Sequence, residues 1–156
     1  MTARRTQRGA GAAPGRRTSG GNPPGMQPTT SVAEPELRSR VFVYGTLLTG
    51  ESNHHHLAYA RLVGEARTRP EFTLFDLGFY PGMVRVGTSS VVGEIYAVDE
   101  PTLARLDRLE GHPTVYLRTT IHLASGDEVE TYLLEVRQVA GCPIIPGGSW
   151  RARKRP

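Results

Sequence analysis

The chain has 156 residues, of which 38% are hydrophobic and 22% charged, and this composition suits one compact domain rather than two. It contains no run of about 20 apolar residues and no apolar segment near residue 1, so we expect no membrane-spanning helix and no secretory signal. Its single cysteine, Cys142, excludes an intrachain disulfide and a cysteine-based zinc site. We therefore expect a cytoplasmic protein without a membrane partner.

The net charge of +4 is distributed unevenly along the chain. Residues 1–40 carry +5 and residues 151–156 carry +4, whereas residues 41–150 carry −5. A protein that binds nucleic acid needs its cations grouped on a folded face. We therefore predict no nucleic-acid partner, with an adaptor acting through its arginine-rich ends as the alternative.

Both ends of the chain are predicted to be tails. Residues 1–40 contain six Gly, five Pro and only nine apolar residues, too few to offset the entropy cost of ordering the segment. We interpret them as a disordered basic tail. The absence of acidic residues before Glu34 is typical of organelle transit peptides, and a simple solvated extension is the alternative. Residues 152–156 form a short basic C-terminal tail, which leaves residues 41–151 as the folded domain.

Short β-branched and aromatic runs indicate that strands dominate this domain. The first, residues 41–44, ends at Gly45, which indicates a buried strand followed by a sharp turn. A turn at residues 125–127 separates the last two strands. The other predicted strands cover residues 61–66, 71–75, 83–86, 91–98, 116–123 and 130–136.

One helix has clear start and stop signals. Asp99 can cap its N-terminus, Pro101 lies in its first turn, and Gly111 followed by Pro113 ends it.

The same helix directs a carboxylate toward the core. At 100° per residue, Leu103, Leu106 and Leu109 form one apolar stripe with Glu110 inside it, and Arg108 falls on the opposite, solvated side. A carboxylate in an apolar setting is paired, neutralised through a raised pKa, or functional. The alternatives for Glu110 are a frayed last turn that exposes it to water, or an ion pair with Arg118.

The loop at residues 45–50 is a second candidate site. A turn whose successive backbone N–H groups converge without partners can bind an anion. The loop does not match the GxxxxGK[ST] phosphate-binding pattern, which requires a lysine directly after its second glycine.

Other reactive residues give no comparable signal. His54, His55 and His56 are adjacent, so their side chains diverge and cannot all reach one ion. Cys142 lies between Gly141 and Pro143, a setting that indicates a loop, and the GxSxG nucleophile pattern is absent. We therefore predict no metal and no other cofactor.

Several of these features occur in an order that resembles the γ-glutamylcyclotransferase-like (AIG2-like) family, and especially its γ-glutamylamine cyclotransferases. The resemblance covers about residues 41–151, and an acid is more usual in the family where Ser149 stands. Its segments are residues 41–47 with Gly50 and Asn53, residues 77–82, 92–96 and 106–111 with Pro113, Tyr116 and Arg118, and residues 145–151.

The resemblance implies an α+β fold, a small mixed β-barrel flanked by helices. It also implies that the α-amine of a γ-glutamyl group attacks its own γ-carbonyl and releases 5-oxoproline and a free amine. Glu110 then corresponds to the catalytic acid/base, and the loop of Tyr44, Gly45, Thr46 and Leu47 binds the substrate through its backbone.

Two tyrosines, Tyr80 and Tyr116, are further candidates for the cavity wall, with ordinary packing as the alternative. Arg118 is expected to orient a carboxylate on the barrel rather than to touch the substrate.

Alternatives remain for the amine and for the activity itself. The small-molecule substrate is a γ-glutamyl amino acid, γ-glutamyl-ε-lysine, or a γ-glutamyl-protected natural product such as an aminoglycoside. The acidic body favours cationic amines through long-range attraction. A noncatalytic domain that binds a metabolite or partner in the same cavity is the alternative function, and no pattern in the sequence indicates an oligomeric state.

Overall fold

The computed structural model describes residues 38–154. The predicted N-terminal tail therefore lies outside the described residues except for its last three, of which Ser39 and Arg40 already belong to the first strand. The predicted C-terminal tail is described as far as Lys154. Within it, the guanidinium of Arg153 lies 3.2 Å from the centre of the Trp150 ring.

Seven strands and one α-helix make up the described domain. The helix, α1, spans Glu100–Glu110, and short 3-10 helices span His54–Leu57 and Val136–Val139. The strands are β1 Ser39–Val43, β2 Arg61–Arg67, β3 Phe72–Asp76, β4 Pro81–Ser89, β5 Val92–Val98, β6 Leu117–His122 and β7 Glu128–Leu133. Every predicted strand is present, and its ends lie within three residues of the predicted ones.

The strands form one mixed sheet in the order β2-β5-β1-β7-β4-β3, with β6 paired to β7. Strand β7 runs parallel to β1 and β4 and antiparallel to β6. The sheet curls until the ends of β2 and β6 meet at the isolated bridge between Thr68 and Leu123. The predicted α+β class is confirmed, although the sheet does not close into a continuous barrel.

Helix α1 begins and ends as its sequence signals predict. The carboxylate of Asp99 accepts a hydrogen bond from the Thr102 N–H at 2.9 Å. At the other end Gly111 adopts φ 66°, a left-handed conformation that glycine reaches without strain, and its N–H donates to the last carbonyls of the helix. The helix therefore stops in a defined way immediately after Glu110.

The predicted apolar stripe of α1 is only partly buried. Leu106 is completely buried and Leu103 packs at the edge of the core, but Leu109 is 36% exposed. The prediction for Leu109 is wrong because the last turn of α1 lies beside a cavity rather than over the core. The core itself consists of the inward faces of the strands, with Trp150 from the C-terminal segment among its largest fully buried side chains.

Two predicted irregular segments are also confirmed. Gly126 adopts φ 97° in the turn between β6 and β7, where the Leu123 N–H donates to the Asp127 carbonyl. Cys142 lies in a loop after the second 3-10 helix.

Candidate active site

A cavity of about 300 Å³ opens between the end of β1, the start of β4 and the last turn of α1. Within residues 38–154, two charged residues line it, Arg108 and Glu110. The structure brings together on its wall every candidate residue from the sequence: Tyr44, Gly45, Thr46, Leu47, Tyr80, Glu110 and Tyr116. The remaining lining residues are Phe42, Val43, Asn53, Pro81, Arg108, Leu109, Gly111, Val115 and Tyr132.

The loop after β1 is held by its own carbonyl and side-chain groups. The Leu48 N–H donates to the Gly45 carbonyl at 3.0 Å, and the Asn53 N–H donates to the Thr46 carbonyl at 2.8 Å. The Asn53 side chain also donates to the Thr46 hydroxyl at 2.9 Å. The N–H groups of Gly45, Thr46 and Leu47 donate to no other group among residues 38–154, so they remain available to an anion in the cavity.

Gly45 is required by the close approach of Pro81. A Cβ atom at position 45 would lie 2.5 Å from Cγ of Pro81, well inside van der Waals contact. Pro81 is itself fixed, because the Tyr116 hydroxyl donates to its carbonyl at 2.6 Å. Tyr116 thus shapes this wall through Pro81 as well as through its own ring.

The Tyr44 side chain is buried, and its hydroxyl forms hydrogen bonds with two other strands. Its hydroxyl donates to the Tyr132 carbonyl on β7 at 2.6 Å and accepts from the Met83 N–H on β4 at 3.2 Å. Burial raises the pKa values of Tyr44 and Tyr116, and the neighbouring Glu110 adds to both shifts. Both phenols are therefore neutral at physiological pH. The third candidate tyrosine, Tyr80, lies at the cavity mouth and is 43% exposed.

Glu110 is half-buried at the C-terminal end of α1. Its carboxylate makes no hydrogen bond or ion pair with any group in the described part of the chain. Burial raises the pKa of Glu110 to about 7. A carboxyl group with this pKa can both accept and return a proton at neutral pH.

Arg118 does not compensate Glu110. Its guanidinium instead bridges Asp107, at 2.9 Å, and Glu130. The Tyr132 hydroxyl donates to the same Asp107 carboxylate at 2.7 Å. The alternative of a Glu110–Arg118 pair is therefore wrong, because Arg118 pairs with Asp107 on α1 and Glu130 on β7. The expectation that Arg118 orients a carboxylate of the domain is confirmed by the same two contacts.

Nine lining residues were not singled out by the sequence analysis as site residues, and four of them, Asn53, Pro81, Arg108 and Tyr132, contact the loop or carry polar groups at the site. Asn53 and Pro81 occur within the segments that carry the family resemblance, so that pattern was an available signal. Arg108 is exposed, as the helical projection predicts, yet it also borders the cavity because the helix ends there. Tyr132 carries no signal, because strand alternation indicates which side chains are buried but not which of them meet a cavity.

A second polar cluster supports the loop from its far side. The buried carboxylate of Glu94 accepts from the Thr49 N–H at 3.0 Å and from the Thr49 hydroxyl at 3.1 Å. Arg151 lies 3.4 Å from the other Glu94 oxygen and also donates to the Thr49 carbonyl. Burial alone raises the pKa of Glu94, but the Thr49 and Arg151 donors outweigh burial and leave that pKa below its ordinary value.

The three adjacent histidines form a 3-10 helix next to this loop. The His54 ring nitrogen Nδ1 lies 3.0 Å from the Leu47 carbonyl, and the rings of His55 and His56 lie 4.2 Å apart. Within residues 38–154, no three His, Cys, Asp or Glu side chains are grouped so that they can hold a metal ion. The same residues include no helix with the length and apolar character needed to span a membrane.

Comparison with known sequences identifies a family for most of the chain. The profile of the family described as gamma-glutamyl cyclotransferase, AIG2-like, matches residues 41–152. A Vibrio cholerae protein, provisionally named a gamma-glutamylcyclotransferase, is 47% identical over 75% of this chain and 99% of its own length. The gamma-glutamylcyclotransferase family protein YtfP of Escherichia coli K12 is 36% identical over 74% of this chain and 99% of its own length.

Solved structures show the same fold. A crystal structure of a protein specific to uropathogenic E. coli superposes with a TM-score of 0.66 at 31% identity, covering 73% of this chain and 93% of that one. An AIG2-like protein from mouse superposes with a TM-score of 0.55 at 30% identity, covering 65% of this chain and 78% of that one.

Proposed function

Since the chain belongs to the gamma-glutamyl cyclotransferase, AIG2-like family, we propose that it converts a γ-glutamyl amine into 5-oxoproline and a free amine. The observation that carries this proposal is the pairing, in one cavity, of an uncompensated carboxylate on Glu110 with the unbonded N–H groups of residues 45–47. An unpaired carboxylate in such a setting costs free energy, and a role in proton transfer would account for that cost.

The reaction needs little from the protein because nucleophile and electrophile belong to one substrate. Folding the glutamyl chain places the α-nitrogen against the γ-carbonyl, so proximity is supplied within the molecule. A new C–N bond closes the five-membered ring, and the original amide C–N bond breaks. No covalent enzyme intermediate is required.

Proton transfer is the main task of the enzyme, and we assign it to Glu110. The attacking nitrogen starts as an ammonium and ends as a lactam N–H, so it loses two protons. The leaving nitrogen starts as an amide N–H and ends as an ammonium, so it gains two. Glu110 carries the two protons in turn. It accepts the first from the ammonium before attack and gives it to the leaving nitrogen as the amide bond breaks, and it then accepts the second from the ring nitrogen and passes it to the released amine, a repeated role suited to a group with a pKa near neutrality.

The N–H groups of Gly45, Thr46 and Leu47 are proposed to bind negative charge. They would hold either the substrate α-carboxylate or the oxygen that becomes anionic during attack. Preorganised donors of this kind are effective because they need no rearrangement during the reaction. Tyr80 and Tyr116 would contribute walls for the glutamyl chain, each with an apolar ring face and one polar tip.

The glutamyl half is common to γ-glutamyl amino acids, γ-glutamyl-ε-lysine and γ-glutamyl-protected natural products such as aminoglycosides. The groups described above contact only that half. The choice among amines therefore depends on the outer part of the cavity.

The proposal is tested by incubating the protein with a panel of γ-glutamyl amines and measuring 5-oxoproline. Glu110→Gln keeps the size and polarity of the side chain but cannot exchange the proton, so turnover should fall about 100-fold or more. The matched control is Glu100→Gln, at the exposed opposite end of the same helix, which should retain wild-type turnover. The proposal is overturned if the wild type binds the γ-glutamyl amines but releases no 5-oxoproline, or if Glu110→Gln keeps turnover within tenfold of wild type.

A further inference from the structure

The mouth of the cavity is built from apolar side chains that are open to solvent. Tyr80, Leu109 and Val115 all line the cavity, and they are 43%, 36% and 50% exposed. Exposed apolar groups are common singly, but three of them around the opening of a cavity form a surface that a ligand can cover. The part of a substrate that emerges from the cavity would meet these side chains.

Arg108 is the one cation on the wall of this cavity, as far as residues 38–154 show, and it is exposed. Its guanidinium forms no ion pair and no side-chain hydrogen bond with the described residues. The nearby acid Asp107 is already occupied by Arg118 and Tyr132. Arg108 is therefore available to an anion at the mouth.

The charges of the glutamyl group can be bound without Arg108. When the N–H groups of residues 45–47 hold the α-carboxylate and Glu110 receives the α-ammonium, the bound glutamyl group has no further charge for Arg108 to pair with. A guanidinium at the rim then faces the amine side of the substrate. Arginine matches a carboxylate there through its planar fork of donors.

We propose that the amine released by this protein is an apolar amine that bears a carboxylate, such as an α-amino acid with a branched aliphatic side chain. This inference rests on the proposed function and specifies its substrate class. The apolar side chain packs on Tyr80, Leu109 and Val115, and the carboxylate pairs with Arg108. Polycationic amines are disfavoured because their charges would meet Arg108 at the opening, even though the domain as a whole is acidic.

The test uses four substrates that share the glutamyl group and differ in the amine. These are γ-glutamyl-leucine, γ-glutamyl-leucinamide without the carboxylate, γ-glutamyl-alanine without the larger apolar group, and mono-γ-glutamyl-1,4-diaminobutane with a cation. The expected kcat/KM is highest for γ-glutamyl-leucine. We expect it to be about fivefold lower for the leucinamide and at least about fivefold lower for the alanine conjugate. The diaminobutane conjugate should be the poorest substrate.

Two variants tie this preference to Arg108. Arg108→Gln should reduce kcat/KM for γ-glutamyl-leucine about three- to fivefold and leave γ-glutamyl-leucinamide unchanged. Arg108→Glu should lower the leucine conjugate further and raise the diaminobutane conjugate. Arg105→Gln, on the same helix but outside the cavity lining, is the control and should match wild type on all four substrates.

The outcomes separate this inference from the proposed function. If the wild type releases no 5-oxoproline from any of the four substrates, the proposed function fails and the inference fails with it. If 5-oxoproline is released but the diaminobutane conjugate is preferred, the proposed function stands and the inference is overturned. The inference is also overturned if Arg108→Gln affects leucine and leucinamide conjugates equally.

Discussion

The backbone N–H of Thr49 donates to the buried carboxylate of Glu94 at a distance of 3.0 Å. This bond joins the far side of the loop at residues 45–50 to the centre of the sheet, because Glu94 lies on β5 opposite Val43 of β1. Arg151 adds a bond to Glu94 and another to the Thr49 carbonyl, so the C-terminal segment holds the same loop. The free N–H groups of residues 45–47 thus belong to a loop that is fixed from behind.

Replacing Glu94 should therefore weaken both stability and substrate binding. In Glu94→Gln the charge facing Arg151 is lost within a buried hydrogen-bonded cluster, which should reduce the free energy of unfolding by about 1–3 kcal/mol. The loop should lose order, so KM should rise more than kcat falls. Urea denaturation and steady-state kinetics measure the two effects. Glu128→Gln removes an exposed carboxylate paired with His122 and serves as the control, with a change within about 0.5 kcal/mol. Equal effects of the two substitutions would contradict the prediction.

The contact between Gly45 and Pro81 predicts a second pair of variants. Gly45→Ala places a methyl group 2.5 Å from the Pro81 ring, and such overpacking should cost about 1–3 kcal/mol of stability and distort the loop. Gly147→Ala is the control, because its added Cβ would meet no atom within 4 Å. Thermal unfolding of each variant measures the cost. The double variant Gly45→Ala/Pro81→Ala lacks the proline ring and should recover part of the stability that Gly45→Ala loses. A double variant no more stable than Gly45→Ala would show that the clash with Pro81 is not the cause.

The raised pKa of Glu110 predicts how activity depends on pH. In the free protein the carboxyl group titrates near pH 7, and only its ionised form can accept a proton from the substrate ammonium. The kcat/KM should therefore rise about tenfold per pH unit below pH 7 and level off above it. A profile measured with one γ-glutamyl amine from pH 5.5 to 8.5 checks this, and a flat profile would exclude Glu110 as the titrating base.

The same pKa predicts a stability cost at higher pH. The pKa of Glu110 is about 7 in the folded chain against 4.5 as the ordinary value, so between these pH values the folded state binds more protons than the unfolded state. Stability must then fall as pH rises through this window, and the loss is complete above pH 7. Relative to Glu110→Gln, the wild type should lose about 2–3 kcal/mol between pH 5 and pH 8. Urea unfolding at pH 5 and pH 8 measures the difference in stability between the wild type and Glu110→Gln. This difference would be the same at both pH values if Glu110 were fully solvated.

Local sequence signals predicted the elements of this fold well. Asp99 and Gly111 fixed the ends of α1 because capping depends only on neighbouring backbone groups. The glycine turn after β1 and the turn at residues 125–127 were predictable for the same reason. The position of Glu110 near the end of the helix followed from Gly111 and Pro113, and its place within the apolar stripe followed from periodicity.

What the amino-acid order determined by itself was thus the set of strands, the one long helix and the unusual acid at its end, since each depends on residues close together in the chain. Only the tertiary structure decided that Arg118 pairs with Asp107 and Glu130 rather than Glu110, that Leu109 borders the cavity, and that Glu94 holds Thr49. Those contacts join residues up to 45 positions apart along the chain, and the packing of the sheet sets them. Periodicity gives the direction of a side chain from its own helix or strand, but not the partner that it meets there.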